Sequence, residues 1–229
     1  MASSCGTRAR ADVVRLRASP HEYDPILRRD PKVQKAVTHR MIETNAVLVI
    51  LSPPCTKLST LQALSSAIHG PEWAAEFEKE RQKAAEHIAF SMKIAKLQMS
   101  KGAYFLFEHP AHATSWELPS VKEVLNKKGV NTVIGDQCMD GLVTPNADRS
   151  AMVPAKKPTR FMSNGWYILK ELDSKCDKSH THQALMGGRA SKAQEYTYTL
   201  CRAMCRGLKN RRSTTEVERC PLIHWGAPS

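Results

Sequence analysis

A cysteine and a glutamate each stand just past an apolar run. Val47-Leu48-Val49-Ile50-Leu51 stops at Ser52-Pro53-Pro54 and then presents Cys55, and Ala103 to Phe107 runs into Glu108-His109-Pro110. A thiol and a carboxyl sharing one crevice can do covalent chemistry on an electron-poor ring. The thiolate adds to a ring carbon while the carboxyl hydrogen-bonds or protonates a ring nitrogen and draws charge away. Nearby positive charge or donors must make that thiolate available. The plainer alternatives are an inert buried thiol and a loop carboxylate.

A second set is Cys176-x₃-His180-x-His182, with Cys201 and Cys205 one helical turn apart further on. Cys176, His180, His182 and Cys201 are candidate ligands for a structural zinc ion, which takes four ligands in a closed site. The spacing fits no standard zinc-finger pattern. The alternative is a His-containing loop beside a helix, with Cys205 in the core near Ala203 and Leu208. Cys138 reads as a packing thiol beside the Cys55 loop, and His109 and His112 as nearby donors. Gly187-Gly188-Arg189 lacks the strand-to-helix setting and the Lys-Ser/Thr of a phosphate loop, so it reads as a plain turn.

The elements that must position these residues follow from periodicity. The run before Pro53 is too short for a stable helix and has the composition of a buried parallel strand. Two prolines cannot continue its ladder, so the chain turns and holds Cys55 at the carboxyl end of a strand. Ligand crevices of open α/β sheets lie at such ends. Val33, Ala36, Val37, Met41 and Ile42 predict a helix to about Glu43, with Asp30 as N-cap and Pro31 at its first position. Residues 56–70 read as a Ser/Thr-rich loop with a short helical turn. Trp73, Phe77, Ala84, Ile88, Met92, Ala95 and Met99 form one stripe on a helix over about 71–100, closed by Gly102. Further strands are expected over 103–107, 130–134 and 159–163, with a helix over 119–128 and a helical turn over 166–172. Residues 139–157 read as loop, and a last helix is expected over about 192–209. Strand, helix, strand, helix, strand is the rhythm of a doubly wound α/β domain.

Composition bounds the rest. The 229 residues suit one domain with tails or two small ones, and 41% apolar content suffices for a core. The first 17 residues carry arginines without an apolar core, so they are no secretory signal, and no run is long enough to span a membrane. Seven irregularly spaced cysteines argue for a reducing compartment rather than a disulfide scaffold. A net charge of +12 makes nucleic acid the leading partner, against a merely soluble basic protein.

Several segments together resemble DNA cytosine-5 methyltransferases. Ser52 to Cys55 is similar to their Pro-Cys catalytic loop. Phe107 to Pro110 resembles their Glu-Asn-Val segment, with His109-Pro110 in place of Asn-Val. Lys156 to Phe161 with Asn164 resembles the Lys-Pro-Thr…Asn segment of phage-type members. A nearer likeness is to methyltransferase-like regions of retrotransposon polyproteins, notably of dinoflagellate algae. It rests on Cys55-Thr56 with Leu61-Gln62, Glu108 to Pro110 with Ser115-Trp116, Gly135 to Cys138, Thr159 to Asn164, and His180 to Arg189. It covers about 45–208.

The resemblance implies an α/β fold, the catalytic half of a Rossmann-like methyltransferase sheet. It makes Cys55 the nucleophile for carbon 6 of a flipped cytosine and puts Glu108 on ring nitrogen 3, with Arg160 holding the base or the catalytic loop. Lys156, Lys157, Arg189, Arg202 and Arg206, with Lys209, Arg211 and Arg212, would contact phosphates, DNA rather than RNA. The cofactor would be S-adenosylmethionine. The family's first donor-binding strand and Gly loop are not visible, since Gly6 is the sole glycine before Cys55. The expectation is therefore a truncated or degenerate relative that alone lacks methyl transfer. It would comprise a disordered 1–20, a domain over 21–210 and a loose tail over 211–229, in an intracellular, nuclear setting.

Overall fold

The computed structural model describes residues 13–16, 30–59, 70–186 and 189–218. The chain divides into two units, residues 1–132 with 160–164 and residues 133–159 with 165–229. The architecture is mixed α/β with two sheets.

In the first unit, strand β1 (Val13–Leu16) lies parallel to β2 (Leu48–Leu51), and β2 lies parallel to β3 (Tyr104–Pro110). All four β2 residues are buried, as expected for a strand covered on both faces. The five-stranded sheet has the order β1-β2-β3-β7-β4, where β4 is Asn131–Asp136 and β7 is Pro158–Ser163. Residues 131–132 of β4 and 160–163 of β7 belong to this unit. Strand β1 falls inside the stretch expected to be disordered.

Helix α1 (Pro31–Glu43) starts as its sequence dictates. The Asp30 carboxylate accepts the Lys32 N–H at 2.8 Å, and Pro31 takes the first turn, where its missing N–H costs nothing. Helix α2 (Gly70–Ser100) buries only its C-terminal half, through Ile88, Met92, Ile94, Ala95 and Gln98. Trp73 and Phe77, at the exposed end, stack on each other with centroids 5.0 Å apart. The Gln98 amide donates to Ala46 O and Tyr104 O, both at 3.0 Å, and so ties the helix to the starts of β2 and β3. Gly102 then turns the chain at φ 68°. Phe105, Phe107, Val49, Ile88, Met92 and Met162 form the centre of the core. Helix α3 (Pro119–Leu125) adds Val121 and Val124.

Asn164 extends the pairing at the start of β3 in an unusual way. Its side chain accepts from Phe105 N–H at 3.1 Å and donates to Ala103 O at 2.9 Å, the pattern a strand residue would supply. Ser163 Oγ donates to Phe105 O at 2.5 Å.

The second unit carries β5 (Val143–Pro145), β6 (Met152–Lys156) and β8 (Gln183–Ala184) in that order. The pair β5–β6 is antiparallel and β6–β8 is parallel. The hairpin occupies a segment expected to be loop. Its ladder is so short that Pro145 and Pro154 fit at its ends without breaking alternation. Helix α4 (Trp166–Leu172) packs on α6 (Tyr198–Glu218) through Gly207, where any Cβ would stand 2.5 Å from Ile168 Cα and Tyr167 O. The single late helix expected over 192–209 is two, α5 (Arg189–Lys192) and α6. Thr197 makes the break: its Oγ1 accepts Leu200 N–H at 3.1 Å and donates to Asp140 O at 2.7 Å. Helix α6 continues to Glu218, through residues expected to form a loose tail.

Candidate functional site

Cys55 stands where β2 has ended. Its carbonyl accepts Leu58 N–H at 3.0 Å and opens a 3₁₀ turn over Thr56–Leu58, leaving the side chain half-buried. Thr114 Oγ1 donates to Leu58 O at 3.2 Å, so the segment after β3 fastens the Cys55 turn. The β2–β3 register pairs Leu51 with Phe107. Glu108 is thus one residue beyond the last pair, and it is 7% exposed. Adjacent parallel strands therefore carry the thiol and the carboxyl at their carboxyl ends.

Alternation along β3 turns Phe107 and His109 to the face opposite Glu108. His109 is buried, its Nδ1 is 2.6 Å from Ser115 Oγ, and its ring stacks near Phe107 at 5.6 Å. It packs against Phe107 and Ser115. Arg160 lies over the Trp116 ring, with its guanidinium carbon 4.9 Å from the centroid. Trp116 is itself pinned by donating Nε1–H to Pro110 O at 2.8 Å. The Arg160 Nε is buried without a hydrogen-bond partner. Cys55, Glu108 and Arg160 all belong to the first unit.

The five basic candidates belong to the second unit. Lys156 and Arg202 are exposed, and Arg202 lies 5.6 Å from the Tyr198 ring centroid. Lys157 donates to Ala193 O at 2.9 Å. Arg206 pairs with Glu171 at 2.9 Å. Arg189 is engaged within the fold. Its guanidinium donates to Pro145 O, Asn146 O and Met186 O at 2.9–3.1 Å, a tether for the β5–β6 turn.

The ligand set read from spacing changes by one residue. Cys138, Cys176, His180 and His182 bring their ligating atoms within 4.8 Å of one another. Cys201 is not part of the group. It lies on α6, whereas Cys138 sits in the 3₁₀ turn Gln137–Asp140 that follows β4. His182 Nε2 is 3.3 Å from Cys138 Sγ, 3.4 Å from Cys176 Sγ and 3.0 Å from His180 Nε2. Cys176 Sγ is 3.6 Å from His180 Nε2. Burial first, then Cys176 and the Asp136 charge, push the Cys138 thiol up to about 11. By these distances Cys138, read from the sequence as a packing thiol, groups with Cys176, His180 and His182. Sequence distance hid it, since 38 positions separate it from Cys176 (176 − 138). The visible signal was a cysteine directly after a strand end, Gly135-Asp136-Gln137-Cys138.

Residues 17–29, where a donor loop after β1 would lie, and 187–188 of the Gly-Gly turn fall outside the described residues, as do the side chains of Arg211 and Arg212. No helix among the described residues is long and apolar enough to cross a membrane. No family model matches the chain, and neither a curated protein nor a solved structure matches it.

Proposed function

We propose that this chain is a cytosine-5 DNA methyltransferase-like domain of a mobile-element protein, which binds nucleic acid and offers Cys55 and Glu108 to an extruded cytosine. The observation that carries the reading is the half-buried thiol and the buried carboxyl at the carboxyl ends of neighbouring parallel strands. The parallel trio β1-β2-β3 supports a Rossmann-like methyltransferase sheet. In this reading Cys55 Sγ adds to carbon 6, and Glu108 hydrogen-bonds ring nitrogen 3 as charge builds there. Arg160, over the Trp116 ring, would hold the base or the catalytic loop. Lys156 and Arg202 supply salt-sensitive phosphate contacts, and the domain works in the nucleus. S-adenosylmethionine would supply the methyl group, and zinc belongs to the Cys/His cluster. This chain alone does not complete methyl transfer.

Addition of a thiolate to carbon 6 makes carbon 5 an enamine carbon. It then takes a proton from solvent, and elimination of Cys55 can release the original hydrogen. In D₂O the chain should therefore exchange the carbon-5 hydrogen of cytosine in an oligonucleotide. Cys55→Ser should abolish exchange and Glu108→Gln should slow it by about 10²-fold or more. No exchange, with salt-dependent binding intact, would leave a non-catalytic nucleic-acid-binding module. A stable adduct with 5-fluorocytosine DNA in the presence of S-adenosylmethionine would show that methyl transfer does occur.

A further inference from the structure

Two thiols and two imidazoles converge in the second unit with no carboxylate among them. We propose that Cys138, Cys176, His180 and His182 bind one zinc ion in a closed, structural site that clips residues 173–182 to the turn after β4. The assignment is independent of the cytosine chemistry.

Geometry comes first. Zn–S of about 2.3 Å and Zn–N of about 2.0–2.1 Å in a tetrahedron put neighbouring ligand atoms roughly 3.3–3.8 Å apart. Four of the six ligand-atom pairs stand 3.0, 3.3, 3.4 and 3.6 Å apart, and all six lie within 4.8 Å, close enough for one ion to draw them to those spacings. A 2S2N set of borderline-soft donors selects zinc over magnesium or calcium. Four protein ligands leave no open position, which makes the site structural rather than catalytic.

The surroundings hold the ligands in place. Lys178 N–H donates to Cys176 Sγ at 3.3 Å, which Lys178 reaches from the left-handed region at φ 62°. Asp136 accepts Cys176 N–H at 2.9 Å, so the residue two before Cys138 also fixes the chain at Cys176. Ser179 Oγ donates to Asp177 Oδ1 at 2.7 Å and lies 3.5 Å from His180 Nδ1, which leaves Nε2 facing the cluster.

The clip has something to hold. Residues 173–182 contain no helix or strand, and β8 beyond them pairs with β6 through two residues only, at Ala155 and Lys156. So short a ladder does not order such a segment by itself. One metal closing the chain between 138 and 176 does.

Metal analysis of the full chain, purified under reductant without chelator, should find one zinc per chain. Cobalt titration of the metal-free chain should give tetrahedral d–d bands with thiolate charge transfer. Cys138→Ser should weaken metal binding by more than the roughly 10–100-fold typical of losing an outer-shell partner, while Cys201→Ser leaves it unchanged. Chelation should open residues 173–186 to limited proteolysis. The site is overturned by the absence of both stoichiometric metal and a tetrahedral cobalt spectrum. It is overturned equally by a Cys138–Cys176 disulfide in fresh protein, or by metal kept in Cys138→Ser and lost in Cys201→Ser. The cobalt titration on the unaltered chain keeps the test valid should a variant not fold.

Discussion

Cys55 and Cys176 are both half-buried thiols outside disulfides, yet the chain holds them by opposite means. Cys55 is carried by backbone: a buried parallel strand, two prolines and a short turn fastened by Thr114. Cys176 is carried in a segment without regular structure, where the Asp136 carboxylate takes its N–H and the Lys178 N–H and two histidines meet its sulfur. The first arrangement exists before any ligand arrives and suits a group that meets substrate. The second is expensive in conformational entropy unless something joins its side chains, and suits a group that is itself the joint.

The largest effect that would break this contrast is metal removal. Structural zinc contributes about 10–16 kcal/mol in small zinc domains, so chelation should expose residues 173–186 and make Cys138 and Cys176 alkylate rapidly. Labelling of Cys55, followed by peptide mass spectrometry, should not change. Equal gains at Cys55 would show that it too depends on the metal.

Next is Asn164→Asp, which sets a carboxylate against the Ala103 carbonyl in place of a donor. It should cost about 3 kcal/mol in denaturant unfolding. Gly207→Ala should cost about 2 kcal/mol, because the new methyl meets the α4 backbone and the helices must part. Its effect should be confined to hydrogen exchange in the second unit. Asp30→Ala removes one cap bond and should cost about 1 kcal/mol, with fraying of α1.

The smallest effect concerns pH. The Arg81 side-chain hydrogen bond, helped by its charge and opposed by slight burial, holds the Glu78 carboxyl below its usual value. A lowered folded value means the pair's contribution is present above the ordinary carboxylate range and is lost as pH falls through the lowered value. Both groups are exposed on α2, so an acid titration of Arg81→Ala should differ little from wild type, and not at all in high salt.

Sequence made β2, α1 and α2 legible because each carries its signal within a few residues. A β-branched run stops at two prolines, Asp30-Pro31 opens an apolar period, and Gly102 ends another. The β5–β6 hairpin was not legible, since its ladder is three residues long and contains two prolines. β1 was missed because Val13 to Leu16 is short, is interrupted by Arg15 and is followed by Arg17. The α5–α6 break rests on Thr197 bonding a distant carbonyl, which periodicity cannot show. The same limit explains the metal cluster. Cys176, His180 and His182 announce themselves by spacing, whereas the fourth member depends on where β4 ends. Cys201 had the more helical spacing but lies on α6, outside the cluster.

The Asn164 amide has one more consequence. A side chain standing in for a peptide group is perishable in a way that a peptide group is not. Asn164 precedes Gly165, the neighbour that least obstructs cyclisation of an asparagine onto the next backbone nitrogen. Hydrolysis of the resulting ring would replace the donor that faces Ala103 with a second acceptor. The bonds to Phe105 and Ala103 restrain the amide from reaching that geometry, so its lifetime reports how often the start of β3 opens. Ageing of this one residue, read as a mass gain at Asn164, is a clock set by local breathing of β3.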